Sequence, residues 1–295
     1  MTGELAALVT AFFWSCSSIL FTFGGRFVGS TILNRTRLVI GLCYLSVLHF
    51  FIYGKFLPIT ADSHSWFWFG LSGIIGLVLG DSALFQAFVL IGPHLSMLIM
   101  TLVPIIGTIF AWIFLAETLS FIKLAGIICT ISGIIMVVLN KHEMTMLNKK
   151  EFMIGILCGI GGAIGQAIGL ILAKKGFVNN FPGLSATVIR VSTATIVIWL
   201  FTIISGRTKI TISKVMNRKI LLTIASGAFF GPFLGIWMSM VAIKWTYIGI
   251  ASTIMALPPI ILLPVSYFIF KEKITWKSII GTFIAVSGTA IIFLF

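Results

Sequence analysis

The run GLSGIIGLVLGDSALFQAFVLIG, residues 70–92, carries a single charged side chain, Asp81. The hydrocarbon core of a bilayer is about 30 Å thick, and about 20 apolar residues of helix are needed to cross it. Runs of this length recur along all 295 residues, of which 59% are hydrophobic and 9% charged. Soluble domains are about 45–50% apolar and about 25% charged. The sequence therefore excludes an ordinary soluble domain and predicts a polytopic membrane protein.

Ten apolar runs lie between breaks that are charged or rich in Pro and Asn. They cover residues 5–25, 31–53, 66–90, 94–115, 121–140, 152–173, 183–205, 219–243, 246–270 and 275–295. Each run is continuously apolar and lacks the alternation of a membrane-spanning β-strand. The first run has no basic leader and is longer than the apolar region of a signal peptide, so we expect it to remain as a helix. The predicted fold class is an all-α integral membrane protein with ten transmembrane helices.

The second half of the chain repeats the first at a constant offset of 155 residues. Arg35, Gly76, Gly80, Pro104, Glu117, Gly126 and Gly133 each have the same residue 155 positions later. Each half holds five spans, an odd number, so the second half must enter the membrane in the opposite orientation. Such inverted repeats are typical of secondary transporters. The predicted organisation is a five-helix repeat over residues 1–140, a polar linker over residues 141–151 and a second five-helix repeat over residues 152–295.

A recurring pattern in residues 80–139 and 251–295 carries a family resemblance. Each segment has a Pro in a helix (Pro104, Pro259), a Glu just past the helix end (Glu117, Glu272), and then a Gly and a small-residue pair. The pattern resembles the EamA-type members of the drug/metabolite transporter superfamily, although Ala and Lys stand before the two Glu residues where that family often has Gly. The resemblance implies a carrier of small metabolites linked to protons or another gradient. It also implies that helices 1–4 and 6–9 surround a central cavity, with helices 5 and 10 outside it.

Asp81 is the one carboxylate well inside a predicted span. A charge there costs at least about 2.5–3.5 kcal/mol on insertion scales, so we expect Asp81 to face a cavity, to pair with a base or to stay protonated. One interpretation is proton coupling or substrate contact, and the other is a structural hydrogen bond to a neighbouring helix. Its repeat counterpart is Ile236, so any such site occurs once.

Three arginines lie inside predicted spans: Arg35 and Arg37 in the second and Arg190 in the seventh. The planar guanidinium group binds carboxylate or phosphate through two parallel hydrogen bonds, which favours an anionic substrate. The alternative for each arginine is anchoring to lipid headgroups. Trp14, Gln86, Gln166 and Trp237 complete the predicted substrate-binding set, because aromatic rings with a few amides are the usual lining of a small-molecule pocket.

Two further features favour packing roles. Glycines at four-residue spacing in spans 3, 6 and 8 predict close helix contacts. Pro104 and Pro259 each remove a backbone donor, which predicts helix kinks beside the pathway or kinks with no role in transport.

We expect a secondary active transporter that exports small metabolites, such as amino acids or related organic anions and zwitterions, by alternating access. One alternative is a cationic drug exporter centred on Asp81. The other is an intramembrane serine hydrolase using Ser72, since residues 70–73, GLSG, match the GxSG string of rhomboid-type proteases. Ser72 aligns with Gly227 in the repeat, which favours a packing role, so no enzyme activity is predicted. The sequence has no metal-ligand cluster, P-loop or CxxC motif, so no metal or cofactor is predicted.

The formal net charge of +13 is interpreted as a topology signal rather than as a nucleic-acid surface. Loops after odd-numbered spans hold 12 Lys and Arg, against 5 after even-numbered spans. The positive-inside rule then places both termini outside the cell, whereas the family resemblance implies termini in the cytoplasm. We expect a multi-pass protein of the bacterial inner membrane, with lipid, a small-molecule substrate and protons as its partners. One chain contains both halves of a pathway, which is consistent with a monomer.

Overall fold

A computed structural model describes residues 2–115, 120–139, 148–178, 180–246, 248–270 and 274–294. Within these ranges the chain is helical and contains no strand, as the sequence predicts. Glu117, Glu272 and residues 141–147 of the predicted linker lie outside the described residues.

The described residues form fourteen α-helices and two π-helical segments. In the first half they are α1 (Thr2–Val28), α2 (Ser30–Tyr53), α3 (Ser63–Ser72), α4 (Asp81–Ile99), α5 (Leu102–Leu115) and α6 (Phe121–Val138). In the second half they are α7 (Lys149–Gly176), α8 (Gly183–Ile204), α9 (Thr208–Val215), α10 (Arg218–Ala228), α11 (Ile236–Trp245), α12 (Ile248–Met255), α13 (Pro258–Phe268) and α14 (Trp276–Leu294). A π-helical segment joins α3 to α4 (Gly73–Gly80) and another joins α10 to α11 (Phe229–Gly235).

Glycine permits the sharpest changes of direction. Gly29, between α1 and α2, has φ of 88°, and Gly92, just before Pro93 inside α4, has φ of 78°. A side chain with a Cβ rarely adopts this left-handed region. The break at Gly92 lies between residues 90 and 94, where the sequence predicts the third span to end and the fourth to begin.

Seven helical stretches among the described residues are long and apolar enough to cross a membrane by length and composition. One of them, Ser63–Ile99, includes the break at Gly92. Apolar parts of α6 and α14 are shorter, at Leu124–Val138 and Trp276–Ile291. A total of ten crossing helices therefore stays a prediction.

The predicted fourth and ninth spans are each divided into two helices. α5 begins after Met100 and Thr101, and α13 begins after Ala256 and Leu257. Pro104 and Pro259 stand near the start of the second helix in each pair. The sequence predicts kinks at these prolines, and the structure has a full interruption just before each one.

The repeat at 155 residues is visible in the packing. The second π segment is the counterpart of residues 74–80, inside the first π segment. At the α6–α14 contact, a Cβ added to Gly281 would lie 2.9 Å from the carbonyl oxygen of Gly133, and one added to Gly288 would lie 2.7 Å from that of Gly126. Because Gly281 and Gly288 are the counterparts of Gly126 and Gly133, the two helices exchange equivalent contacts, as a pseudo-twofold relation requires.

Candidate functional site

A cavity lies between the two halves of the chain. Its empty space, including solvent at its opening, is about 930 Å³. Its polar lining consists of Trp14, Ser17, Ser18, Arg37, Asp81, Gln166, Arg190, Ser239 and Ser252. The lining comes from α1, α2, α4, α5, α7, α8, α11 and α12 together with both π segments and the first residue of α13, whereas the described side chains of α6 and α14 supply none of it. This is the arrangement that the family resemblance implies.

A buried ion pair joins α2 to the start of α4. The Nη2 atom of Arg37 donates to Oδ2 of Asp81, and both side chains are less than a tenth exposed. The guanidinium group also stacks on Phe85, with 4.5 Å between Cζ and the ring centroid. A buried charge is tolerated when it is paired and hydrogen-bonded. Asp81 therefore pairs with a base, as expected for a carboxylate at this depth.

The first π segment supplies the backbone acceptors of this cluster. Asn34 accepts a hydrogen bond from Nε of Arg37 at 3.0 Å and donates to the carbonyl oxygen of Leu77 at 3.1 Å. Gln166 donates to Oδ1 of Asp81 and to the carbonyl oxygen of Gly76 at 3.3 Å. A π segment disturbs the regular ladder of helical hydrogen bonds, and such segments are frequent at functional sites. Here, side chains from α2 and α7 bond to the carbonyls of that segment.

Arg190 differs from Arg37 in its partners. It is 2% exposed, and its one hydrogen bond to a described residue runs from Nη1 to the thioether sulfur of Met240 at 3.2 Å. Its Nε has no partner. A thioether is a weak acceptor, and Asp81 is near enough to interact electrostatically but forms no ion pair with Arg190. The guanidinium group of Arg190 is therefore buried in the cavity wall with little compensation.

The remaining residues named for the lining are mostly apolar. They include Phe21, Leu84, Phe85, Phe88, Met97, Met100, Leu170, Ile236 and Met255. Aromatic rings give rigid contact area, and methionine adapts to irregular shapes. Such walls suit the apolar part of a small molecule whose charged end meets the polar cluster.

Five residues of the predicted site line the cavity together: Trp14, Arg37, Asp81, Gln166 and Arg190. The cluster is one-sided, because the counterparts of Asp81, Arg37 and Asn34 in the second half are Ile236, Ser192 and Ile189. That the substrate site occurs once stays a prediction.

Three other residues of the predicted set lie outside the lining of this cavity. Arg35 points to α9, where its Nη1 donates to Thr211 at 3.2 Å. Gln86 accepts a hydrogen bond of 2.5 Å from Ser30. Trp237 packs in an apolar cluster with Phe233. Each had the right residue type and depth, but its helix face turns it away from the cavity.

Asn34 is the main polar residue that the sequence reasoning missed. It is fully buried and connects Arg37 to the π segment. Asn34 stands three residues before Arg37, so the two side chains share one helix face. This spacing is the feature of the sequence that predicts their contact.

Ser72, the residue of the hydrolase alternative, is fully buried. Its Oγ donates to the carbonyl oxygen of Gly169 at 2.5 Å. None of the hydrogen bonds among the described residues joins it to a histidine. Gly80 and Gly165 meet along the same face of α7 that contacts Ser72. A Cβ on Gly165 would lie 2.6 Å from Cα of Gly80. Ser72 is thus a packing residue between α3 and α7.

Among the described residues, no three His, Cys, Asp or Glu lie close enough to hold a metal.

Comparisons with known proteins give the fold and the family. One solved crystal structure superposes on this chain with a TM-score of 0.69 at 16% identity, over 99% of this chain and 97% of the other. At that identity the likeness concerns the fold alone. No curated protein matches the sequence. The model of the EamA-like transporter family matches residues 1–139 and again residues 153–294, so the chain belongs to that family and is a multi-pass membrane transporter.

Proposed function

We propose that this transporter is a secondary active carrier that exports small metabolites, such as amino acids and related organic anions or zwitterions. The observation that carries the proposal is the contrast between the two cavity arginines. Arg37 is neutralised by Asp81, whereas Arg190 is buried with an unpartnered Nε and a thioether as its acceptor. A substrate carboxylate would supply the partner that Arg190 lacks.

The energetics favour such a ligand. A hydrogen bond to a charged group contributes about 1.5–3 kcal/mol, and a carboxylate can accept two from one guanidinium. With Asp81 ionised in its ion pair, the titratable lining residues Arg37, Asp81 and Arg190 carry a net charge of +1. One carboxylate makes this cluster neutral. The apolar walls around Phe85 and Met97 would then take the rest of the substrate.

Asp81 gives the site a second use. It is the one carboxylate among the described lining residues, so it is the group that could exchange a proton. Protonation would remove the partner of Arg37 and so change the charge that the substrate meets. Proton coupling through Asp81 is therefore part of the proposal.

Alternating access needs parts of the cavity wall that can move. Met100 lies in the interruption between α4 and α5, and Ala256 lies in the one between α12 and α13. Pro104 and Pro258 follow close behind them, and all four residues line the cavity. Interrupted helices at pseudo-equivalent positions are the elements around which inverted-repeat carriers bind substrate and change access. We infer that the two halves exchange conformations around the cluster and that a single chain suffices.

A cationic drug exporter is supported less well. Arg37 already occupies Asp81, so a cation would have to displace a buried guanidinium and then face Arg190. Like charges in a site of low dielectric repel strongly.

Competition in proteoliposomes tests the choice. We expect exchange of a mixture of radiolabelled amino acids and monocarboxylic acids, inhibited by unlabelled carboxylates and not by lipophilic cations. Arg190→Gln should lose the inhibition by carboxylates, while Lys150→Gln, which removes an exposed charge at the start of α7, should keep it. Inhibition by lipophilic cations alone would contradict the proposal and favour the exporter centred on Asp81.

A further inference from the structure

The segment that joins α8 to α10 is strongly basic. It contains Arg207, Lys209, Lys214, Arg218 and Lys219 and no acidic residue between positions 205 and 219. All five side chains are exposed. The segment therefore presents concentrated positive charge at one end of the helix bundle.

The helix within this segment, α9, exposes apolar side chains beside the basic ones. Ile210 is 59% exposed, Ile212 is 53% exposed, and Met216, just beyond the helix, is 77% exposed. Thr211 is buried and fixes the helix to the bundle. A short helix with exposed lysines and large apolar residues is suited to the membrane interface, where the charges meet headgroups and the apolar groups meet acyl chains.

Arg35 approaches α9 from the bundle side. It is 6% exposed, its Nη1 donates to Thr211 at 3.2 Å and its Nε has no partner. Arg207 is close enough for the two positive charges to repel each other. No carboxylate among the described residues forms an ion pair with either arginine. A buried guanidinium with an unpartnered Nε beside a second positive charge is suited to bind an anion, because arginine forms strong charge-assisted hydrogen bonds with phosphate.

The depth of Arg35 identifies the source of that anion. Arg35 stands five residues into α2, about 7.5 Å from its start at a rise of about 1.5 Å per residue. α2 has 24 residues and so spans about 36 Å, which exceeds a hydrocarbon core of about 30 Å by about 3 Å at each end. Arg35 therefore lies within a few ångströms of the headgroup level, and its long side chain can reach it.

We propose that Arg35, Arg207 and α9 bind the phosphate of an anionic phospholipid, with Ile210 against its acyl chains. Arg35 does not line the cavity, so this site is separate from the proposed substrate site and independent of the transport proposal. The basic side chains of Lys209 and Lys214 favour a lipid with net negative charge over a zwitterionic one.

Native mass spectrometry of the purified full chain in detergent tests the site, with phosphatidylglycerol and phosphatidylcholine as probes. We expect phosphatidylglycerol to bind more tightly, and Arg207→Gln to weaken it by about ten- to hundredfold, as loss of one charged hydrogen-bonding group implies. The matched control is Lys150→Gln, which removes one exposed charge at the start of α7 and should leave the affinity unchanged.

Arg207 is exposed, so its replacement should not disturb folding. Arg35→Gln gives a second reading, with melting temperature as the check that the variant is folded. Equal weakening in Lys150→Gln, or equal binding of phosphatidylcholine, would overturn the proposal. Displacement of the lipid by inorganic phosphate at millimolar concentration would also overturn it, because the site would then be one for free phosphate.

Discussion

Replacing one partner of the Arg37–Asp81 ion pair should lower the stability of the fold more than replacing both partners. In Asp81→Asn, Arg37 stays buried beside the neutral Asn34 and the rings of Phe21 and Phe85. Removing one partner of a buried pair costs about 3–5 kcal/mol, because the other charge is left uncompensated. Arg37→Gln should cost less, since Asp81 keeps Gln166 and can take up a proton.

The double variant Arg37→Gln/Asp81→Asn removes both charges, and replacing a buried pair by neutral groups is often close to neutral in free energy. An unfolding entropy of about 2.1 cal/mol/K per residue gives about 0.6 kcal/mol/K for a chain of 295 residues. The loss in Asp81→Asn therefore corresponds to a fall of about 5–8 °C in melting temperature. The double variant should recover most of that fall.

The assay is a thermal melt of purified protein in detergent, run in parallel with exchange in proteoliposomes. We expect the double variant to regain stability without regaining transport, because the cluster lines the substrate cavity. If the losses of the two single variants simply add in the double variant, the two side chains are not coupled and the reasoning from the ion pair is refuted.

Four further outcomes are expected. Arg190→Gln should fold normally and lower the affinity for carboxylates about ten- to hundredfold in competition assays, and unchanged affinity would indicate a structural role. Transport by Asp81→Asn should lose the pH dependence of the parent, and matching profiles would remove Asp81 from coupling. Gly165→Ala should cost about 1–3 kcal/mol because its Cβ would lie 2.6 Å from Cα of Gly80. Gly107→Ala should not, because no atom of the described part of the chain lies within 4 Å of its Cβ. Equal melting temperatures would contradict the close contact at Gly165. Ser72→Ala should keep transport. A folded Ser72→Ala variant without transport would reopen the hydrolase alternative.

The number of apolar spans and the internal repeat can be predicted from the sequence, because both depend on residue types at regular positions. Apolar length marks the spans, and the match of Gly76 and Gly80 to Gly231 and Gly235 marks the repeat, since close helix contacts admit only small residues. The break at Gly92 and Pro93 is also local, because both residues disfavour a continuous helix.

The π segments and the divided helices were not predicted. Residues 73–80 are Gly, Ile, Leu and Val, which suit an ordinary helix as well as a π helix. In the first π segment the distinguishing contacts are tertiary, because the carbonyls of Gly76 and Leu77 accept hydrogen bonds from Gln166 and Asn34. Such bonds depend on neighbouring helices, which a periodic pattern does not reveal.

The candidate site was predicted in part for the same reason. Burial cost alone singles out Asp81, Arg37 and Arg190. Arg35 has the same type and similar depth as Arg37, but two residues along a helix turn a side chain by about 200°. Arg37 therefore faces the cavity and Arg35 faces α9, and the difference requires knowledge of which helices lie on each side.

Counterflow in proteoliposomes tests the central claim most directly. Vesicles are preloaded with unlabelled amino acids and monocarboxylic acids, and a trace of the same radiolabelled compounds is added outside. A carrier that alternates access around one site predicts transient accumulation of label above the external concentration, and this overshoot should disappear in Arg190→Gln. Simple equilibration of label without an overshoot, or an overshoot undiminished in Arg190→Gln, would contradict the account.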